Sequence, residues 1–68
     1  MAYDKIEQIL STLVERVANY FHMDMQDALE AVATSKLANN ISKEGNKDNL
    51  SIEEMSDLIY KEISLAID

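Results

Sequence analysis

The chain has 68 residues, of which 13 are acidic and 6 are basic, so its formal net charge at neutral pH is −7. The length allows one domain, residues 1–68, and a hydrophobic fraction of 47% favours a folded unit over a disordered acidic segment. The negative charge disfavours binding to nucleic acid or to an anionic membrane. With no signal-peptide pattern and no membrane-spanning apolar run, the expected location is the cytoplasm.

A chain of this size has a limited capacity to stabilise itself. Small domains bury only about 60% of the surface that the unfolded chain exposes. The sequence has no cysteine for a disulfide, and its one histidine cannot build a zinc site alone. We therefore expect further burial to come from a second protein chain.

A first amphipathic helix is predicted over residues 3–21. Apolar residues recur there at the i, i+3, i+4, i+7 spacing of one helical face. They are Ile6, Ile9, Leu10, Leu13, Val14, Val17 and Phe21. Polar residues occupy the other face, so this helix is expected to pack on one side only.

A second helix is predicted over residues 24–40, with Asp24 as its N-cap. The apolar stripe of this segment loses register near Thr34 and Ser35, so we expect a bend, a break or a new packing surface there. The expected inner face before that point comprises Ala28, Leu29, Val32 and Ala33.

The next segment, residues 41–50, is expected to be a mobile loop. It contains the only glycine, Gly45, together with Asn46 and Asn49, and these residue types tolerate left-handed backbone conformations.

A third helix is predicted over residues 51–67. Ser51 and Glu54 have the spacing of a capping box, and Leu50 and Met55 have that of a hydrophobic staple. Apolar residues then cover an arc of about 220° around this helix. Because that arc is too wide for one neighbour, part of it is expected to face another molecule.

The resulting fold prediction is an all-α, three-helix bundle with a bend in the second helix, completed by dimerisation. The first and third helices are expected to supply most of the core. The expected interaction surface combines residues of the broad apolar arc of the third helix with residues at or beyond the margins of the apolar stripes. These are Met25, Leu58, Tyr60, Leu65 and Ile67.

No arrangement of residues indicates catalysis, a cofactor or a bound metal. His22 has no neighbouring base and is expected in the last turn of the first helix, where the helix dipole favours positive charge. The serines lack the setting of an activated nucleophile. The acids of the third helix are expected to form a solvated face, and they are Glu53, Glu54, Asp57 and Glu62.

A degenerate calcium loop over residues 40–54 is a remote alternative. With Gly45 at the sixth position of an EF-hand loop, Asn40, Ser42 and Glu44 fall at positions one, three and five. Ser51 then stands where a bidentate glutamate is required. A solvated loop that leads into a helix cap is the simpler interpretation.

Residues 24–62 resemble short helical bacterial families of unknown function, some of which are encoded beside putative toxins. The resemblance is carried by residues on both sides of the polar loop, namely Ala28, Leu29, Ser35, Leu37, Leu50, Ser51, Ile59, Tyr60 and Glu62. It implies a bacterial accessory or antitoxin-like protein and assigns no site.

Two functions follow as hypotheses. The first is a non-catalytic helical interaction module that forms a homodimer through the third helix. The second is an acidic, antitoxin-like inhibitor or regulator that binds a basic protein by charge complementarity.

Overall fold

The computed structural model describes the backbone of residues 2–67 and the side-chain burial of residues 5–66. It is all-α, and the described backbone contains no strand. Four helices follow one another along the chain, and they are α1 (Ala2–Phe21), α2 (Met25–Ala33), α3 (Lys36–Glu44) and α4 (Ile52–Ile67).

Helix α1 ends where its apolar pattern ends. The next residue, His22, adopts a left-handed conformation with φ of 54°. The Met23 N–H donates to the Ala18 carbonyl at 3.0 Å, which is the six-to-one bond of a Schellman motif. His22 therefore follows the last turn as the terminating residue, and its predicted position inside that turn is wrong.

The predicted second helix is divided into α2 and α3 at the expected place. Ser35 has extended backbone angles and is the N-cap of α3, so one helix over residues 24–40 is incorrect. The Ser35 hydroxyl donates to the Val32 carbonyl at 2.7 Å and accepts from the Ala38 N–H at 3.1 Å. These two bonds end one helix and start the next. Asp24 is the N-cap of α2 by position, but its side chain makes no capping hydrogen bond.

The N-terminus of α3 is held by a residue that is distant in sequence. The half-buried carboxylate of Glu62, on α4, accepts from the backbone N–H groups of both Lys36 and Leu37. The Ala38 N–H donates to the Ser35 hydroxyl, so three N–H groups at the start of α3 that have no partner within the helix are hydrogen-bonded. Glu62 is therefore a tertiary cap, and its predicted place on a solvated acidic face is wrong.

The connection between α3 and α4 is shorter than predicted, because residues 41–44 belong to α3. Gly45 follows with φ of 73° and ψ of −171°, a conformation that is essentially restricted to glycine. The Asn46 side chain then bonds both the carbonyl (2.9 Å) and the N–H (3.0 Å) of Leu50.

The predicted capping box at the start of α4 is confirmed. The Ser51 hydroxyl accepts from the Glu54 N–H at 3.1 Å, and the Glu54 carboxylate accepts from the Ser51 N–H at 3.0 Å. Met55 is buried and Leu50 packs against the same core cluster.

The core lies between all four helices, with α1 and α4 supplying seven of the eleven buried apolar residues among those described. These eleven are Leu13, Val14, Val17, Ala18, Ala28, Val32, Ala38, Ile41, Met55, Ile59 and Ile63. On α2 only Ala28 and Val32 are buried. Leu29 and Ala33 are exposed, so their predicted place on the inner face is wrong.

Candidate interaction surfaces

Within the part of the chain that the structure describes, two surface depressions are lined largely by apolar side chains. One lies where the end of α1 meets α4, and we call it the tyrosine patch. It comprises Tyr20, Asp57, Tyr60, Lys61, Ser64 and Leu65. The other lies between α1, α2 and α3, and we call it the groove. Its apolar lining includes Leu10, Val14, Met25, Leu29, Val32 and Ala33.

The tyrosine patch is organised by aromatic contacts between two helices. The rings of Tyr20 and Tyr60 are stacked with centroids 4.0 Å apart and planes inclined by 8°. Phe21 meets both rings edge to face, at 4.9 Å from Tyr20 and 6.2 Å from Tyr60. This cluster joins the last turn of α1 to α4 and holds the patch in a defined shape.

The patch is also strongly exposed. Leu65 keeps 78% of its surface accessible and Tyr20 keeps 58%, around a shallow depression of about 610 Å³. Leu58, 46% exposed, lies two helical turns before Leu65 on the same side of α4. Both signs of charge are present, because Asp57 and Lys61 belong to the patch.

The groove is larger and is built differently. It has a volume of about 980 Å³ and receives side chains from three helices. Leu29 is 56% exposed and Met25 is 54% exposed, both on α2. The chain breaks at Ser35 before α3, whose N-terminus is capped by Glu62 of α4, and α3 lines the groove with Ala38, Asn39 and Ser42.

The charge at the groove has a single sign. Among the described residues that line it, the charged side chains are Glu7 and Glu15, both on α1. Ser11 lies between them at the i+4 position, so the three residues form one polar edge beside the apolar lining. The groove therefore combines an apolar floor with an acidic edge.

The structure divides the surface predicted from the sequence. Met25 lies in the groove, whereas Leu58, Tyr60 and Leu65 lie on α4, with Tyr60 half-buried. Ile67 falls outside the residues whose side chains are described.

The prediction did not include two residues that are prominent in these surfaces, Leu29 and Tyr20. The apolar periodicity of α2 assigned Leu29 to the core. No signal in the sequence brings Tyr20 onto Tyr60, because their contact depends on how α1 crosses α4.

The first residues of the segment proposed as a calcium loop are helical, and residues 45–51 form the connection to α4. Asn40, Ser42 and Glu44 belong to α3, and the Glu44 carboxylate pairs with the Lys47 ammonium group at 2.7 Å. Within the described part of the chain, His, Asp and Glu side chains form no group of three that could hold a metal ion. This geometry differs from that of an EF-hand, whose ligands come from a loop.

Comparison of the chain with protein-family models, with curated proteins and with solved structures finds no match. Among the helices described above, none combines the length and apolar character that crossing a bilayer requires.

Proposed function

We propose that this protein is a non-catalytic, cytoplasmic interaction module that forms a homodimer through the tyrosine patch and the adjoining Leu58. The observation that carries the proposal is the exposure of Leu65, 78%, beside a preformed aromatic cluster on a protomer with a small core. Contiguous apolar surface of this kind is typical of a protein interface.

In a two-fold symmetric contact, each side chain of the patch would be buried on both copies of the chain. Full burial of a leucine side chain is worth about 1.5 to 3 kcal/mol, and aromatic residues are enriched at the centres of interfaces. Asp57 and Lys61 supply both signs of charge, so two copies of the same patch can face each other without uniform repulsion.

Analytical ultracentrifugation of the wild-type chain over micromolar concentrations tests this proposal. The weight-average mass should rise from 7.7 kDa toward twice that value as the concentration increases. A mass that stays at 7.7 kDa throughout would reject the homodimer.

A second candidate function is an acidic, antitoxin-like regulator that binds a basic protein. The net charge of −7 and the acidic edge of the groove favour it. Complementary charge accelerates and orients such association, and salt weakens it. Titration calorimetry of a basic partner at low and high salt measures that dependence.

A further inference from the structure

The groove presents an apolar floor that one protomer leaves uncovered. Leu29 and Met25 are both more than half exposed, and they line one groove together with the partly buried Leu10, so they are not isolated apolar residues. Scattered exposed leucines need no explanation, but a contiguous apolar groove with a polar edge indicates a docking site.

The edge of the groove specifies the charge of the partner. Glu7 and Glu15 are eight residues apart on α1, which separates them by about 12 Å along the helix axis. Cationic side chains separated by about two helical turns on a partner could therefore face both carboxylates at once.

From this combination we infer that the groove binds a basic amphipathic helix of another protein. Apolar residues of that helix pack on Leu29 and Met25, and its lysine or arginine side chains face Glu7 and Glu15. The walls of the groove are helices, so an extended peptide finds no strand edge to which it can add. The flexible thioether of Met25 can adapt to the shape of the apolar residues it meets.

A second copy of this chain fits the groove poorly. A symmetric contact through the groove would bring the Glu7 and Glu15 edges of two copies together, on protomers that each carry a net charge of −7. Like charges set against each other oppose association. The groove therefore differs from the tyrosine patch, which has both signs of charge.

The inference deepens the second proposed function, since it names the site and the class of partner. It does not depend on self-association through the tyrosine patch.

A synthetic peptide tests the inference directly. The probe is an amphipathic helix of about 18 residues with leucines at i, i+4, i+7 and i+11 and lysines flanking that stripe. Its binding to the full chain is measured by fluorescence anisotropy at low salt. One control peptide carries glutamate in place of every lysine, and another has the same composition in an order that destroys the stripe. We expect both controls to bind at least about tenfold more weakly.

Paired variants of exposed leucines locate the apolar contact. Leu29→Ser should weaken binding of the lysine peptide about tenfold, whereas Leu58→Ser on α4 should leave it unchanged. Both side chains are about half exposed, so both variants should fold, and thermal melting followed by circular dichroism verifies this. Met25→Ser provides a second groove variant if Leu29→Ser is unstable.

Paired charge variants locate the electrostatic contact. The double variant Glu7→Gln/Glu15→Gln should weaken binding several-fold at low salt and lose this effect at high salt. The control, Asp48→Asn/Glu53→Gln, removes the same amount of charge from exposed residues outside the groove. It should have a much smaller effect.

Three results would overturn the inference. They are equal binding of the reordered peptide, equal weakening by the two charge variants, and a Leu29→Ser variant that weakens the homodimer while binding the peptide normally. The last result would assign the groove to self-association. A wild-type chain that stays monomeric but binds the peptide through Leu29 supports the inference and rejects only the proposed homodimer.

Discussion

The tyrosine patch and the groove are both apolar and both open, yet they differ in how they are built and charged. Aromatic stacking between Tyr20 and Tyr60 preforms the patch, and charges of both signs belong to it. The groove lies between α1 and the two short helices α2 and α3, and Glu7 and Glu15 form its edge. Exposed apolar area alone therefore does not identify a partner, and our two proposals rest on the difference in charge between the surfaces.

The largest expected effect comes from a charge placed in the patch. Leu65→Asp should reduce the favourable free energy of dimerisation by about 1.5 kcal/mol or more for each copy in a symmetric dimer. This loss raises the dissociation constant of the dimer about a hundredfold. Analytical ultracentrifugation measures this change. The matched variant Leu29→Asp, in the groove, adds the same charge and should weaken the dimer far less. Equal weakening by both variants would remove the distinction between the two surfaces.

A smaller effect is expected from Glu62, which connects α4 of the patch to α3 of the groove. Glu62→Gln weakens the bonds to the Lys36 and Leu37 N–H groups and should lower stability by about 1 to 2 kcal/mol. For a domain of this size the melting temperature should fall by roughly 4 to 16 °C. Peptide binding to the groove should weaken more than dimer formation.

Glu30→Gln, an exposed acid on α2, serves as the control for that experiment. A Glu62→Gln variant that melts at the same temperature as Glu30→Gln would show that the tertiary cap contributes little.

The smallest expected effect is a gain in the protein's stability from a change at His22, which connects α1 to α2. His22 holds a left-handed conformation that glycine adopts without steric cost, so His22→Gly should stabilise the protein by about 0.5 to 1 kcal/mol. Asn49→Gly is the matched variant, because Asn49 has the same φ of 54° but asparagine tolerates it better. Chemical denaturation compares the two. A larger gain at Asn49 would contradict this account of the α1 terminus.

Much of the helical architecture follows from local signals. The Ser51 and Glu54 capping box, the end of α1 at Phe21 and the break near Ser35 each depend on residues within a few positions of one another. Periodicity and capping patterns report such short-range interactions, which is why these boundaries were predicted.

The features that depend on distant contacts were not predictable in this way. Glu62 caps a helix that starts 26 residues earlier in the sequence, and it carries no local sign of that role. Leu29 has the periodicity of a core residue but is exposed, because how far a helix face is covered depends on contacts between helices that are separate in the sequence. One predicted surface becomes two because Met25 lies on α2, whereas Leu58, Tyr60 and Leu65 lie on α4.

The salt dependence of the two associations tests the distinction between the surfaces most directly. We measure the homodimer dissociation constant and the lysine-peptide dissociation constant in the same buffers at low and high sodium chloride. Salt screens the repulsion between two protomers of net charge −7, so the homodimer should tighten as salt rises. Salt equally screens the attraction of Glu7 and Glu15 for lysine, so peptide binding should weaken. Dissociation constants that move in the same direction would contradict the account.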